Sequence, residues 1–460
     1  MKDYTLTVGL EIHAELKTRT KMFCDSKNDT NEKRPNVNIC PICLGYPGTL
    51  PVINKEAVKS VLRLGAAVGG KIADYAEFDR KNYFYPDIPK GYQISQYKYP
   101  LIKGGLLAGV ILTRIHLEED TAKSIHSEGG ESLLDFNRAG VPLVELVTEP
   151  VIHSPETAGW FGREFQLLLT YLNIAEANME KGEMRVEANV SVSRSDLKEP
   201  DSKVRPLGTK VEVKNLNSFK AVEKAIKFEF ERHTDLLERG ERVVQETRGW
   251  DEEKGETFSQ RAKEESHDYR YFPDPDLPKL FIKELSEFDR EVLEASLPEL
   301  PQKKRERYKK NFGLKDTDIE VYIRSEEWGK YFEDVAAMLE EREMIILASN
   351  YIISDLKSSV AIESFSKVIS MVYRGEISSR GAKDILKVLG EEGGDPQKIA
   401  KDKNLIQISD REILKQFVEK VLKENATAPI QFLVGQAMKK SQNRANPIIL
   451  QKLFLEMLDR

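Results

Sequence analysis

Three stretches of the chain place carboxylates and imidazoles at spacings that could hold a metal ion. In VGLEIHAEL, residues 8–16, Val8, Leu10, Ile12, Ala14 and Leu16 alternate with Glu11, His13 and Glu15, so an extended chain carries acid, imidazole and acid on one side. MRVEANVSVS, residues 184–193, alternates in the same way and offers Glu187, with Glu180 just ahead of it in NMEKGEM. RIHLEED, residues 114–120, continues the strand GVILT; Ile111, Ile115 and Leu117 mark its apolar side, and Glu119 falls with them. A carboxylate there requires a neighbouring cation, or else the strand has already ended. Carboxylates from adjoining strands suit hard Mg2+, which can neutralise nucleotide phosphates. A half-buried sheet that shows its polar side to water produces the same alternation, so on these residues alone both readings stand.

Three cysteines form a second candidate. Cys40 and Cys43, in CPIC, have the spacing of a metal knuckle, and Cys24 precedes them. Structural zinc takes four ligands, and near Cys24 the alternatives are Asp25 and Ser26. Zinc and a set of three reduced, partly buried thiols are both open. No histidine lies close in sequence to any of them, so none is read as a nucleophile.

FDRKNYFYPDIPKGYQISQYKYP, residues 78–100, interleaves aromatics with Arg80, Lys81, Lys90 and Lys98. It could stack on unpaired nucleotides, or it could be a proline-pinned loop packed by its own rings. FLVGQAMKKSQNRANP, residues 432–447, gathers Lys439, Lys440 and Arg444 near a helix end, where they could meet phosphates or complement the helix dipole. GAAVGGKI, residues 65–72, falls short of a P-loop: Ile72 has no hydroxyl for Mg2+, and the glycines follow a helical pattern rather than a strand. ATP, if used, is bound without that motif. His126, His153 and His233 read as surface or packing residues, whereas His116 and His267 lie inside motif-like stretches.

The elements that must position these groups change character along the chain. Up to about residue 290, alternating strands mix with a few helices and many Gly, Pro and Asn punctuations, which predicts an α+β domain on an antiparallel sheet. One helix is well marked, from a cap at Ser218 to a stop at Gly240. After YFPDPDLP and ASLPELPQKKRERY the pattern is helical, and EEGGDPQ marks a joint before a last helical unit. The predicted domains are 1–292, 293–404 and 405–460.

A chain of 460 residues with 40% hydrophobic and 32% charged residues is expected to fold as two or three globular domains. It has no apolar run near the ~18 residues that span a bilayer, and its start has no signal-peptide core, so a cytoplasmic location is expected. Three cysteines argue against a disulfide framework. With a net charge of −6, any nucleic acid must be held by a local basic patch.

Taken together, VGLEIHAEL, CPICLGYPGTLPVIN, FDRKNYFYPDIPKGYQISQ, RIHLEEDTAKSIH, DFNRAGVPLVELVTEP, KVEVKNLNSF, DYRYFPDPDLP and the tail resemble the B subunits of the tRNA-dependent aspartyl/glutamyl amidotransferases, the GatCAB type. The resemblance implies a glutamine synthetase-like cradle followed by all-α helical and tail domains. It implies a kinase and transamidase that uses ATP and Mg2+ to phosphorylate the side-chain carboxylate of Glu-tRNA(Gln) or Asp-tRNA(Asn). Ammonia channelled from a glutaminase A subunit then displaces the phosphate, and a small C subunit completes a heterotrimer.

Residue by residue, the resemblance makes Glu11, His13, Glu119 and Glu187 catalytic metal positions, with Glu180 as an addition. It places Lys81 and Tyr83 at an ammonia gate; beside it, Arg138 is read as a phosphate or carboxylate contact and the basic cluster Lys439, Lys440 and Arg444 as tRNA-binding. Glu15 gains no role and is left to water. Zinc-binding members carry a cysteine where this chain has Ser26, which puts zinc at Cys24, Cys40 and Cys43 in question. Two rival functions are a tRNA-binding scaffold without catalysis and a free-standing carboxylate–amine ligase.

Overall fold

Strict alternation in the first strand, β1 (Tyr4–Glu15), decides how the N-terminal unit is layered: Leu6, Val8, Leu10, Ile12 and Ala14 are buried, and Glu11, His13 and Glu15 take the other side. The computed structural model describes residues 4–126, 131–194, 207–262, 269–425, 428–442 and 444–458. β1 lies inside a ten-stranded sheet. Its other labelled strands are β2 (Val110–Glu119), β3 (Pro142–Thr148), β4 (Met184–Arg194), β5 (Val211–Leu216), β6 (Glu246–Asp251) and β7 (Glu256–Ala262). The order is β7-β6-β5-β4-β1-β3-β2, continued by Ile102–Lys103 and Lys71–Ile72, with Leu106–Leu107 also pairing β2. β5 and β6 run parallel, and the other named pairs are antiparallel.

Helices α1 (Lys55–Ala67), α2 (Pro155–Tyr171) and α3 (Phe219–Glu238) contribute to the same hydrophobic core as the apolar face of the sheet. Each begins at a side-chain cap: Asn54 accepts from Glu56 and Ala57 N–H, Ser154 from Thr157 N–H, and Ser218 from Ala221 N–H. α3 follows the Ser218-to-Gly240 expectation, and α1 ends before Gly69 at φ +67°, a helix stop rather than a phosphate loop.

Two irregularities shape the polar face. Between β2 and β3 the register shifts, so that Arg114 faces Val147 while Leu112 faces Thr148, and Thr113 is the extra residue. Leu112 therefore joins the core and Ile111 is 51% exposed, not on the apolar side where simple alternation put it. Between β4 and β5, Val186 faces Leu216 but Ala188 faces Val213, which leaves Lys214 and Asn215 opposite Glu187 alone. A separate three-stranded sheet joins Asp79–Asn82 to Tyr92–Ser95 and Phe272–Pro273.

The chain divides into units 1–300 and 301–460. The second unit is helical, as its sequence pattern predicts, and within it Leu414 to Phe454 form a core cluster of their own. Among the described residues, no helix is long and apolar enough to cross a membrane.

Candidate metal and phosphoryl-transfer site

The central ladders bring acids and imidazoles from four strands onto one face. His13 faces Glu145 of β3, Glu145 faces His116 of β2, and Glu11 faces Glu187 of β4. His13 Nε2 lies 3.3 Å from Glu118 Oε1 and 3.2 Å from Glu145 Oε2, and His116 Nε2 lies 3.2 Å from that same Glu145 oxygen. Arg114 Nη2 stands 3.4 Å from the other one. Ligand atoms of Glu11, His13 and Glu145 lie within 4.8 Å of one another, as do those of His116, Glu118 and Glu145. The two triads share Glu145.

Charge is unevenly balanced there. Burial, then repulsion from Glu145 and Glu187, pushes the Glu11 carboxyl up to about 7 against the pull of His13 and Lys214. Burial alone would lower His13, but its bonds to Glu118 and Glu145 hold the imidazolium well above the usual histidine range. Glu118 and Glu145 oppose the upward push of their own burial: His13 holds Glu118 below the usual carboxylate range, and His116 and His13 hold Glu145 well below it. A buried set of carboxylates kept ionised by protonated imidazole is suited to exchanging that proton for a hard divalent cation. The donor set fits Mg2+ on these grounds.

The expected residues divide in position. Glu11, His13 and Glu187 share the face, although Glu187 Oε2 is already 2.9 Å from Lys214 Nζ. Glu119 is a correction: strand alternation turns it away from His116 and Glu118, and it is tied to Lys90 Nζ and accepts from Ile94 N–H at 2.9 Å. The cation that its burial required is thus Lys90. Glu180 is exposed in the turn before β4 and belongs to neither triad.

Arg138 is a second correction. Its guanidinium donates to the carbonyls of Thr121 at 3.1 Å and Ala122 at 3.2 Å and lies 3.3 Å from Asp120 Oδ2, so it braces the chain after β2. Asp120 also holds Arg185 Nη2 at 3.0 Å. Glu15 is part of that surrounding rather than left to water, and burial, with the charge of Asp120, pushes it up to about 7.

Lys81 lies among rings, its ammonium 4.9 Å from the Tyr269 centroid and 5.7 Å from that of Tyr83. Burial would lower it, but Tyr271, Glu118, Tyr83 and Glu145 raise it above the usual lysine range, so it feels the triads' charge. Tyr83 packs edge-on against Tyr85 and Tyr269, and Tyr97 stacks on Tyr271 with centroids 4.4 Å apart. The aromatic loop is thus packed in part by one internal pair, Tyr83 and Tyr85, and otherwise by rings from outside it, Tyr269 and Tyr271, while Phe84 is 87% exposed.

Glu145, Glu118 and Lys214 are the residues that sequence reasoning missed. Glu118 lies two places after His116, a spacing that shares a face, and Glu145 is a lone acid inside the apolar VPLVELV, where a charge demands a partner.

The thiols converge as well, with Cys40 and Cys43 sulfurs 3.6 Å apart and all three within 4.8 Å. Ser26 Oγ lies 3.7 Å from Cys43 Sγ at the place of a fourth ligand. Lys21, fully buried, donates to Phe136 O at 3.2 Å and hydrogen-bonds Cys43. The hydrogen bond from Cys24, and then the Lys21 charge, outweigh burial and bring Cys43 down to about 4. The three sulfurs converge closely enough to share an ion, but a hydroxyl stands in place of a fourth thiolate and a buried ammonium already lies beside Cys43.

His153 Nδ1 lies 2.8 Å from Leu6 O and His233 Nε2 lies 3.0 Å from Glu229, both packing roles. His267 and the His126 side chain lie outside the described residues. In the tail, Lys439 is exposed, Lys440 pairs with Glu424 at 2.8 Å, and Arg444 is half-buried.

Residues 6–286 match the family described as the GatB/GatE catalytic domain, and residues 332–458 match the GatB domain. Over essentially their full lengths, proteins named as the B subunit of aspartyl/glutamyl-tRNA(Asn/Gln) amidotransferase are similar to this chain. The one from Carboxydothermus hydrogenoformans is 39% identical over 100% of this chain and 99% of its own. Those from Thermomicrobium roseum and Thermus thermophilus are 41% and 42% identical over at least 99% of both chains. With a catalytic-domain match across the unit that carries the two triads and relatives matching from end to end, the chain belongs to the family of aspartyl/glutamyl-tRNA(Asn/Gln) amidotransferase B subunits.

Proposed function

We propose that the protein is the subunit that activates and amidates the side-chain carboxylate of Glu-tRNA(Gln), Asp-tRNA(Asn) or both, using ATP and Mg2+. The observation that carries this reading is the pair of carboxylate–imidazole triads sharing Glu145 on one sheet face. The reading likens the N-terminal sheet to the cradle of glutamine synthetase. It places the protein in the cytoplasm, in a heterotrimer with a glutaminase A subunit and a small C subunit.

The chemistry requires such a face. A carboxylate resists attack by ammonia, so one of its oxygens first attacks the γ-phosphorus of ATP. The bond from that phosphorus to the β,γ-bridging oxygen breaks and ADP leaves. Ammonia from the A subunit then attacks the acyl carbon, the C–O bond to phosphate breaks, and the amide and inorganic phosphate are released.

Glu11, His13, Glu118, Glu145, His116 and Glu187 would hold Mg2+, which supplies charge neutralisation to the transferring phosphoryl group. Lys81 and Tyr83 would line the entry of ammonia, where the raised lysine stays protonated and keeps other cations away. Lys439, Lys440 and Arg444 would contact tRNA. The thiol cluster is given no metal in this reading.

The test is Glu145→Gln in the assembled complex, supplied with Glu-tRNA and γ-labelled ATP but no amide donor. The expected result is a fall of about 100-fold or more in acyl-phosphate formation, the order seen when a metal-dependent electrostatic group is removed. An unchanged rate would overturn the reading. Turnover of free glutamate and ammonia by the isolated chain would favour a free-standing ligase instead.

A further inference from the structure

Lys214 is placed by a distortion of the sheet. In the β4–β5 ladder, Lys214 and Asn215 together oppose Glu187, and Asn215 adopts φ +63°, a left-handed conformation that an L residue takes at a cost. The bulge sets Lys214 Nζ 2.9 Å from Glu187 Oε2 and 3.9 Å from Glu212 Oε2. Glu212 has another partner, since it accepts from Thr247 Oγ1 at 2.8 Å. Glu187 faces Glu11 directly across the β1–β4 ladder.

Of the other cations near this face, Arg114 also meets a carboxylate of the proposed metal seat, and the rest are committed elsewhere. Arg114 is held by Glu145 and His116, Arg185 by Asp120, and Arg138 by backbone carbonyls, while Lys81 lies among tyrosine rings. Lys214 makes the closer pair with a carboxylate of the proposed metal seat, 2.9 Å against 3.4 Å for Arg114 and Glu145, and its side chain is 35% exposed. Glu187 cannot serve a divalent ion and an ammonium equally: a 2+ charge beside it repels Lys214 and takes its acceptor oxygen. The four-carbon stem then lets the ammonium swing onto the same face, where the phosphates of a metal-bound nucleotide would gather.

We propose that Lys214 is a contact for the polyphosphate of a nucleoside triphosphate, parked on Glu187 until a divalent cation takes that carboxylate. The proposal rests on the reading of this face as a metal site. In the nucleotide-free state Lys214 competes with the metal, and in the loaded state it cooperates with it. The bulge supplies both states because it brings the ammonium to the carboxylate while leaving it partly exposed.

The experiment uses the assembled complex with Lys214→Met and Lys214→Arg. Mn2+ binding without nucleotide is followed by the electron-paramagnetic signal of the free ion, and ATP binding at saturating Mg2+ by equilibrium dialysis. For Lys214→Met, Mn2+ should bind several-fold more tightly and ATP about tenfold more weakly, the size of one charge-assisted hydrogen bond. Lys214→Arg should recover ATP binding at least in part, which also shows that the site still folds.

Both shifts together support the proposal, and the absence of either overturns it. Wild-type complex that bound no Mn2+, or bound it equally well with Glu11→Gln, would instead overturn the metal reading. Binding that depends on Glu11 and ignores Lys214 would overturn only the role of Lys214.

Discussion

Glu118 and Glu119 are neighbours in sequence with opposite consequences. Glu118 pairs with His13 within the proposed metal-ligand set, whereas Glu119 is pinned by Lys90. Replacing one buried partner leaves the other charge uncompensated, so Glu119→Gln should cost about 3 kcal/mol in urea unfolding. The same change should leave Mn2+ binding intact. Glu118→Gln should weaken Mn2+ by about tenfold with less effect on stability, because His13 keeps a second carboxylate partner in Glu145 whereas Lys90 loses its ion pair. Loss of Mn2+ binding in Glu119→Gln would put that carboxylate back at the metal. At this scale the sequence was readable where alternation was strict, as in Glu11 and His13. At RIHLEED alternation correctly set Glu119 apart from His116 and required a cation for it; what misled there was the role carried over from the resemblance, which fell on Glu119 where the structure puts Glu118 beside His13. Glu145 stayed hidden because its strand is apolar on both sides of it, and only the ladder to His13 and His116 reveals its use.

The elements show why sheet and helix were legible while their irregularities were not. Period-two and helical patterns mark β1, β4 and α3, but neither bulge has a local signature that overrides a run such as GVILTRIHL or KVEVKNL. The outer part of the sheet is tied to α3 by a buried group that alternation does not flag. Glu229 is fully buried in the helix and meets Arg232 at 2.7 Å, His233 at 3.0 Å and Arg248 at 3.2 Å. Burial alone would raise Glu229, yet its bonds from His233, Arg232 and Thr257 bring it down to about 2. A carboxyl whose folded value lies below its unfolded one stabilises the fold above the unfolded value, and that contribution disappears as pH falls through the folded one. From about 4.5 to about 2 the loss amounts to roughly 3 kcal/mol. Glu229→Gln should therefore be less stable than the wild type at pH 7 and should lose less further stability on acidification over that window. Parallel stability curves for the two proteins would rule this coupling out.

For the whole molecule, net charge and basic tail have to be considered together. At −6 overall, the chain repels a polyanion on average, so the tRNA of the proposed function would have to be engaged where positive charge is local. Lys439 is exposed at the end of the Ile430–Lys440 helix, while Lys440 is paired with Glu424 and Arg444 is half-buried. An exposed ion pair such as Lys440–Glu424 is worth at most about 1 kcal/mol, and a phosphate can displace its carboxylate. Arg444 is less available, because its Nε is buried without a hydrogen-bond partner in the same unit. Lys439 and Lys440 are therefore the two that a phosphate can reach. In the complex, Lys439→Ala with Lys440→Ala should raise the KM for tRNA and lower the slope of log affinity against log salt by about 1 to 2. Because both lysines lie in the 301–460 unit and the proposed metal-ligand residues in the 1–300 unit, Mn2+ and ATP binding should not change. A salt slope unaffected by the double substitution would remove these lysines from the tRNA contact and leave helix-dipole complementation as their role.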